Sequence, residues 1–90
     1  MVRYYILAQG RVQGVGFRFF CQMNATSLGL TGWVRNLYNG DVEIEVQGDI
    51  DRLEKFIELI KEGNRFIRVD NLDIKEIDIN EKEKKFTAKY

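Results

Sequence analysis

At 90 residues the chain has room for one small domain, residues 1–90, and not for two. Its 14 basic and 14 acidic residues cancel, which argues against a protein that grips nucleic acid through phosphates. It has no histidine, no proline and one cysteine, which excludes the usual neutral-pH base, the commonest zinc ligand and an internal disulfide.

The opening "MVRYYILAQG" lacks the cleavage pattern of a signal peptide, and no apolar run approaches the ~18 residues of a membrane span. A soluble, cytoplasmic protein with no membrane partner is expected. "RYYILAQ", residues 3–9, is rich in aromatic and branched side chains and predicts a strand. The glycine-bearing stretch "GRVQGVGFRFF", Gly10 to Phe20, follows. Phe17, Phe20, Cys21, Ala25 and Leu28 then recur at helical spacing, and Gly29 with Leu30 predicts a C-terminal cap. Cys21 falls on the apolar stripe, so it is expected to be buried and inert.

"TGWVRNLY" and "DVEIEVQ" flank Asn39-Gly40, a type I′ hairpin signal. In the second of these strands Val42, Ile44 and Val46 alternate with Glu43, Glu45 and Gln47, which predicts one buried face and one wet face. Asp49 or Asp51 is a candidate cap for a second helix. Its apolar stripe is Ile50, Leu53, Phe56, Ile57 and Ile60, and Gly63 closes it. The charged residues from Asp51 to Glu62 form its expected solvated face. "LDIKEIDI" and "KKFTAKY" predict two more strands. Leu72 and Ile74 share a parity that Ile77 and Ile79 break, so either a bulge shifts the phase or the strand faces two environments.

The order β-α-β-β-α-β plus a short final strand predicts an α+β, ferredoxin-like split βαβ sandwich, with two helices on one face of an antiparallel sheet. A chain this short needs nearly all its apolar positions for the core, Trp33 and most phenylalanines included.

The glycine stretch joins a strand to a helix start. Backbone N–H groups in a helix's first turn lack internal partners, and the helix dipole adds positive charge there. Small residues let those groups surround an anion, and Arg18 beyond them offers a planar fork for two phosphate oxygens. The alternative is a tight turn with a surface arginine. The pattern is neither a P-loop nor a dinucleotide fingerprint.

If a phosphate binds there, attack falls to water, since Cys21 lies too far along and no two-metal carboxylate cluster is evident. That suffices when the leaving group needs no proton, as with the carboxylate of an acyl phosphate, and a phosphate oxygen can accept the water's proton. A neutral amide suits the orienting of water. Asn36 is the candidate, against the plainer reading of a polar residue at a strand end.

At this point "GRVQGVGFR" at Gly10–Arg18, "LGLTGWVRN" at Leu28–Asn36 and "GDVEIEVQG" at Gly40–Gly48 resemble the acylphosphatase family over essentially the whole chain. The resemblance implies sheet order 4-1-3-2 and hydrolysis of the carboxyl–phosphate bond of a small-molecule acyl phosphate, with no metal and no cofactor. It implies that Arg18 binds phosphate and Asn36 positions the water. It also implies a cradle of backbone amides from Val12, Gln13, Gly14, Val15, Gly16, Phe17 and Arg18. Leu37 stands where many animal members have threonine, and Asn64 where many have proline.

A second reading is a binding module without turnover, similar to the acylphosphatase-like domain of hydrogenase-maturation carbamoyltransferases. Against it, the sequence ends at Tyr90 with no partner domain. A third is RNA binding, but here "GVGFRFF" enters a helix and the net charge is zero. Small size and balanced charge fit a monomer.

Overall fold

The computed structural model describes residues 1–90. Seven elements follow in chain order: β1 (Val2–Arg11), α1 (Phe17–Ser27), β2 (Thr31–Asn36), β3 (Val42–Gly48), α2 (Ile50–Glu62), β4 (Arg68–Ile77) and β5 (Phe86–Ala88). The strands form one sheet in the order β4-β1-β3-β2-β5. The first four pair antiparallel, in the expected 4-1-3-2 arrangement. The expected all-antiparallel sheet is corrected at its edge, where β5 runs parallel to β2. No helix is long and apolar enough to cross a membrane.

Alternation along the strands decides which side chains meet the helices. Ile6, Ala8, Val34, Val42, Ile44 and Val46 are fully buried, and they pack with Phe17, Cys21 and Ala25 of α1 and Leu53, Phe56 and Ile60 of α2. At ~25 cal/mol per Å², such burial is the main favourable term in a chain of this size. α1 ends as its sequence implies. Gly29 N–H donates to Thr26 O at 3.0 Å and Leu30 N–H to Ala25 O at 2.9 Å, with Leu30 buried. Asp49 is the cap of α2, though its side chain makes no capping bond.

The far face of the sheet departs from expectation. Trp33 is not in the core. It pairs with Glu45, a residue whose parity points away from the helices, and lies under the Lys89 ammonium at 4.2 Å. Glu43 and Gln47 are not wet but buried. Gln47 is covered because β4 and β5 occupy opposite edges of the sheet, so the segment joining them crosses this face, whereas Glu43 is flanked by Tyr5 and Arg35. Arg3, 2% exposed, holds that crossing. Its guanidinium donates to Gln47 Oε1 at 2.8 Å, to Glu45 Oε1 at 2.9 Å and to Glu83 Oε1 at 2.9 Å. Gln47 adds a reciprocal pair of 2.9 Å bonds with the backbone of Asn80.

The broken parity of β4 has the second of its two explanations at Ile77. Ile74 pairs with Ile6 on the helix side, whereas Ile77 pairs with Arg3 on the far side. A bulge does occur, but earlier. Gln9 pairs with Asn71 and Gly10 with Val69, which leaves Asp70 extra.

The hairpin between β2 and β3 is also built differently. No non-glycine residue has positive φ, so Asn39 cannot occupy a type I′ turn. Leu37 O instead accepts from Gly40 N–H across Tyr38-Asn39, and Gly40 alone is left-handed at φ 96°. The loop therefore has three residues rather than two. Core parity demands it, because Val34 then faces Ile44 and Asn36 faces Val42.

On the same far face, the Tyr5 hydroxyl donates to Glu43 Oε2 at 2.7 Å, and Arg35 pairs with Glu43 Oε1. That bond to a carboxylate, aided by burial, pushes the Tyr5 phenol up from 10 to about 12. Burial alone would raise Glu43, but its bonds from Tyr5 and Arg35 outweigh this and hold the carboxyl below the ordinary 4.5. The unfolded tyrosine loses its proton first as pH rises. The Tyr5 contribution is therefore complete below pH 10 and lost as pH climbs through about 12. Tyr5→Phe is expected to flatten the alkaline loss of stability over this interval, read as the melting temperature against pH. An identical alkaline slope in the variant would remove this assignment.

Candidate active site

β1 delivers the chain to the edge of the sandwich at Arg11, and α1 begins at Phe17. Between them Gly14 and Gly16 take left-handed φ of 72° and 80°. A Cβ at either would meet nothing within 4 Å, so these glycines serve conformation and openness rather than tight packing. α1 has no side-chain cap and no acidic residue in its first turn. Its first bond runs from Phe20 N–H to Gly16 O, 3.0 Å. No backbone N–H from Gln13 to Phe19 has a hydrogen-bond partner elsewhere in the backbone. A row of free N–H groups at the positive end of a helix suits an anion.

Val12 and Phe17 are buried anchors at the two ends of this loop. Gln13 has a further job in its side chain. Its amide nitrogen donates to Leu37 O at 2.6 Å and to Asp41 O at 2.7 Å. These carbonyls close the neck of the β2–β3 hairpin, one residue beyond Asn36, so the loop and Asn36 are tied together through Gln13.

Arg18, Asn36, Gly14 and Gly16 line one cavity of about 210 Å³, with Val12, Phe17, Phe19 and Tyr90. Thus Arg18 and Asn36, 18 positions apart, are brought together. Asn36 reaches the cavity because the three-residue hairpin loop puts it on the core-side parity of Val34. Its Oδ1 is buried without any hydrogen-bond partner. A buried acceptor left so costs about 1–3 kcal/mol, so its retention points to use by a water or ligand.

Arg18 is held from an unexpected direction. Its Nη1 donates to Lys89 O at 3.0 Å, and its Cζ lies 4.2 Å from the centre of the Tyr90 ring. Lys89 in turn donates its N–H to Val34 O at 2.8 Å, which continues the parallel pairing of β5 on β2. One guanidinium N–H is engaged, and four of the five remain for a ligand. Sequence reasoning missed Lys89 and Tyr90, and no local spacing signals them.

The remaining lining has no side chain bearing a carboxylate, thiol or imidazole. Cys21 is fully buried and burial pushes its thiol far up, which leaves it inert. Nowhere in the chain do three carboxylate or thiol side chains converge to hold a metal ion.

By its fold and this cavity the molecule is an α+β sandwich with a loop of unpaired backbone N–H groups at one edge. Comparison with known proteins narrows the class. The acylphosphatase family model matches residues 4–88, and the chain belongs to the acylphosphatase family. An acylphosphatase of Clostridium beijerinckii is 51% identical over 90 residues, covering all of both chains. The crystal structure of acylphosphatase from Bacillus subtilis superposes with a TM-score of 0.94 at 41% identity, again over the full length of both. A stretch making up 12% of T. kodakarensis HypF matches the whole chain at 38% identity and a TM-score of 0.86.

Proposed function

We propose that this protein hydrolyses the carboxyl–phosphate bond of small-molecule acyl phosphates, giving a carboxylate and inorganic phosphate. The observation that carries the reading is the buried, unpartnered Oδ1 of Asn36 in the same cavity as the Arg18 guanidinium and the free loop amides. The amides from Val12 to Arg18 and the guanidinium hold the phosphoryl oxygens and take up the charge that builds on them. Asn36 Oδ1 accepts a hydrogen bond from water and turns its lone pair toward phosphorus. The P–O bond to the acyl group breaks as the water oxygen bonds to phosphorus. The carboxylate departs with the electron pair, and the water's proton passes to a phosphate oxygen. No protein group has to titrate, in keeping with the lining. The chain acts as a monomer, and nucleic acid has no part in the reaction.

The test is hydrolysis of benzoyl phosphate in excess chelator by wild type and by Asn36→Ala. Wild type is expected to turn over. Asn36→Ala should lose about 10²-fold in kcat, with KM changed far less, since the carboxamide acts on water rather than on phosphate. Because Oδ1 bonds to nothing in the protein, the variant should melt no lower than wild type. Phosphate binding without turnover by wild type would favour the binding-module reading. Equal kcat in the two proteins would remove Asn36 from the mechanism.

A further inference from the structure

Two side chains in the cavity lining have no part in the chemistry above. Phe19 and Tyr90 both face the cavity that contains Arg18 and Asn36, and they are 68% and 97% exposed. Single exposed apolar residues are ordinary, but two aromatic rings at the lip of one polar pocket are not. Phe19 gives nothing to the core, for the buried stripe of its helix is Phe17, Cys21 and Ala25. Tyr90 is held against the Arg18 guanidinium at one side of its ring.

The reaction geometry says what meets these rings. In-line displacement puts the attacking water and the leaving carboxylate on opposite sides of phosphorus. Asn36, which orients the water, comes from β2. The acyl group must therefore leave toward a different wall, and the first turn of α1 provides it. Phe19 is the exposed apolar side chain of that turn. No acidic side chain lines the cavity to repel the departing anion.

We propose that Phe19 forms the acyl subsite and selects substrates with an aromatic acyl group over acetyl. Ring-on-ring contact and removal of apolar surface from water provide the preference. This rests on the acyl phosphate hydrolysis proposed above.

The experiment measures kcat/KM for benzoyl phosphate and for acetyl phosphate in wild type, Phe19→Ala and Phe19→Leu, together with inhibition by inorganic phosphate. Phe19→Ala will fold, since the side chain is exposed and alanine is the stronger helix former. The benzoyl-to-acetyl ratio is expected to fall about tenfold in Phe19→Ala and to recover partly in Phe19→Leu. Inhibition by phosphate should stay within about twofold, because the subsite contacts the acyl group alone. A ratio unchanged in Phe19→Ala, with both compounds still hydrolysed, would overturn the subsite and leave the activity standing. A phosphate inhibition constant that weakens in step with the ratio would also overturn it, by placing Phe19 on the phosphate. Wild type that hydrolyses neither compound would overturn the activity and the subsite with it.

Discussion

Arg18→Ala is expected to lower kcat/KM for benzoyl phosphate by about 10²–10³-fold, the usual cost of deleting one charge-stabilising donor group from a transition state. Four unengaged guanidinium N–H groups in the cavity are lost together, so the upper end of that range is the expected one. Both kcat and the inhibition constant for inorganic phosphate should suffer, because in the proposed role the guanidinium meets phosphoryl oxygens in the ground state and the transition state alike. This separates Arg18 from Asn36, whose loss falls mainly on kcat. Arg18→Lys should recover little. An ammonium is a point charge, and it cannot keep a bond to Lys89 O, lie flat against the Tyr90 ring and still present a fork to two oxygens. Stability should change little in either variant, as Arg18 is only partly buried and lies outside the apolar core. Near wild-type turnover in Arg18→Ala would end the assignment of this pocket as the catalytic one.

Arg3→Met is the substitution with the largest expected effect on stability. Arg3 is almost wholly enclosed and is the cation shared by Glu45 and Glu83. Both carboxylates are mostly covered, with side-chain exposures of 26% and 13%. Removing the cation leaves two negative charges facing each other with little water, which costs about 3 kcal/mol or more. For a domain of this size that corresponds to a fall in melting temperature of roughly 12–24 °C. Adding Glu83→Met to Arg3→Met should restore part of the loss, because the second change removes one of the stranded charges. The damage should also be localised. The strap from β4 to β5 is fastened by Arg3 and Gln47, so amide exchange at Lys89, whose N–H bonds Val34 O, should accelerate before exchange in β3 does. A single variant that melts within about 3 °C of wild type would show that the network contributes nothing measurable.

Both predictions follow from one route through the fold. Arg3 fastens the strap, the strap carries β5 to the edge beside β2, and the residues after β5 lie on Arg18. Each step spans most of the chain. Arg3 and Glu83 are 80 positions apart, and Arg18 and Lys89 are 71 apart.

That separation marks the limit of what could be read from residue order. Phe17, Cys21 and Ala25 announce their helix and its buried face. Val42, Ile44 and Val46 announce a strand. Gly14 and Gly16 ahead of Arg18 announce bare backbone at a helix start. These are local features, set by the period of the backbone and by which residues tolerate left-handed φ. The hairpin is an intermediate case. Asn39-Gly40 suggests a two-residue turn, but the parity that sets Val34 against Ile44 requires three, and burial of a whole face outweighs a local turn preference.

By itself, then, residue order determined the kinds and sequence of the elements, the core stripe of each, and the loop and side chains that can hold an anion. Only the tertiary structure decided that Trp33 lies outside the core, that Glu43 and Gln47 are covered, and that Lys89 and Tyr90 hold Arg18. The physical reason is that periodicity tells which face of an element is apolar, whereas the partner that comes to cover a polar face is chosen by the path of the chain across the sheet.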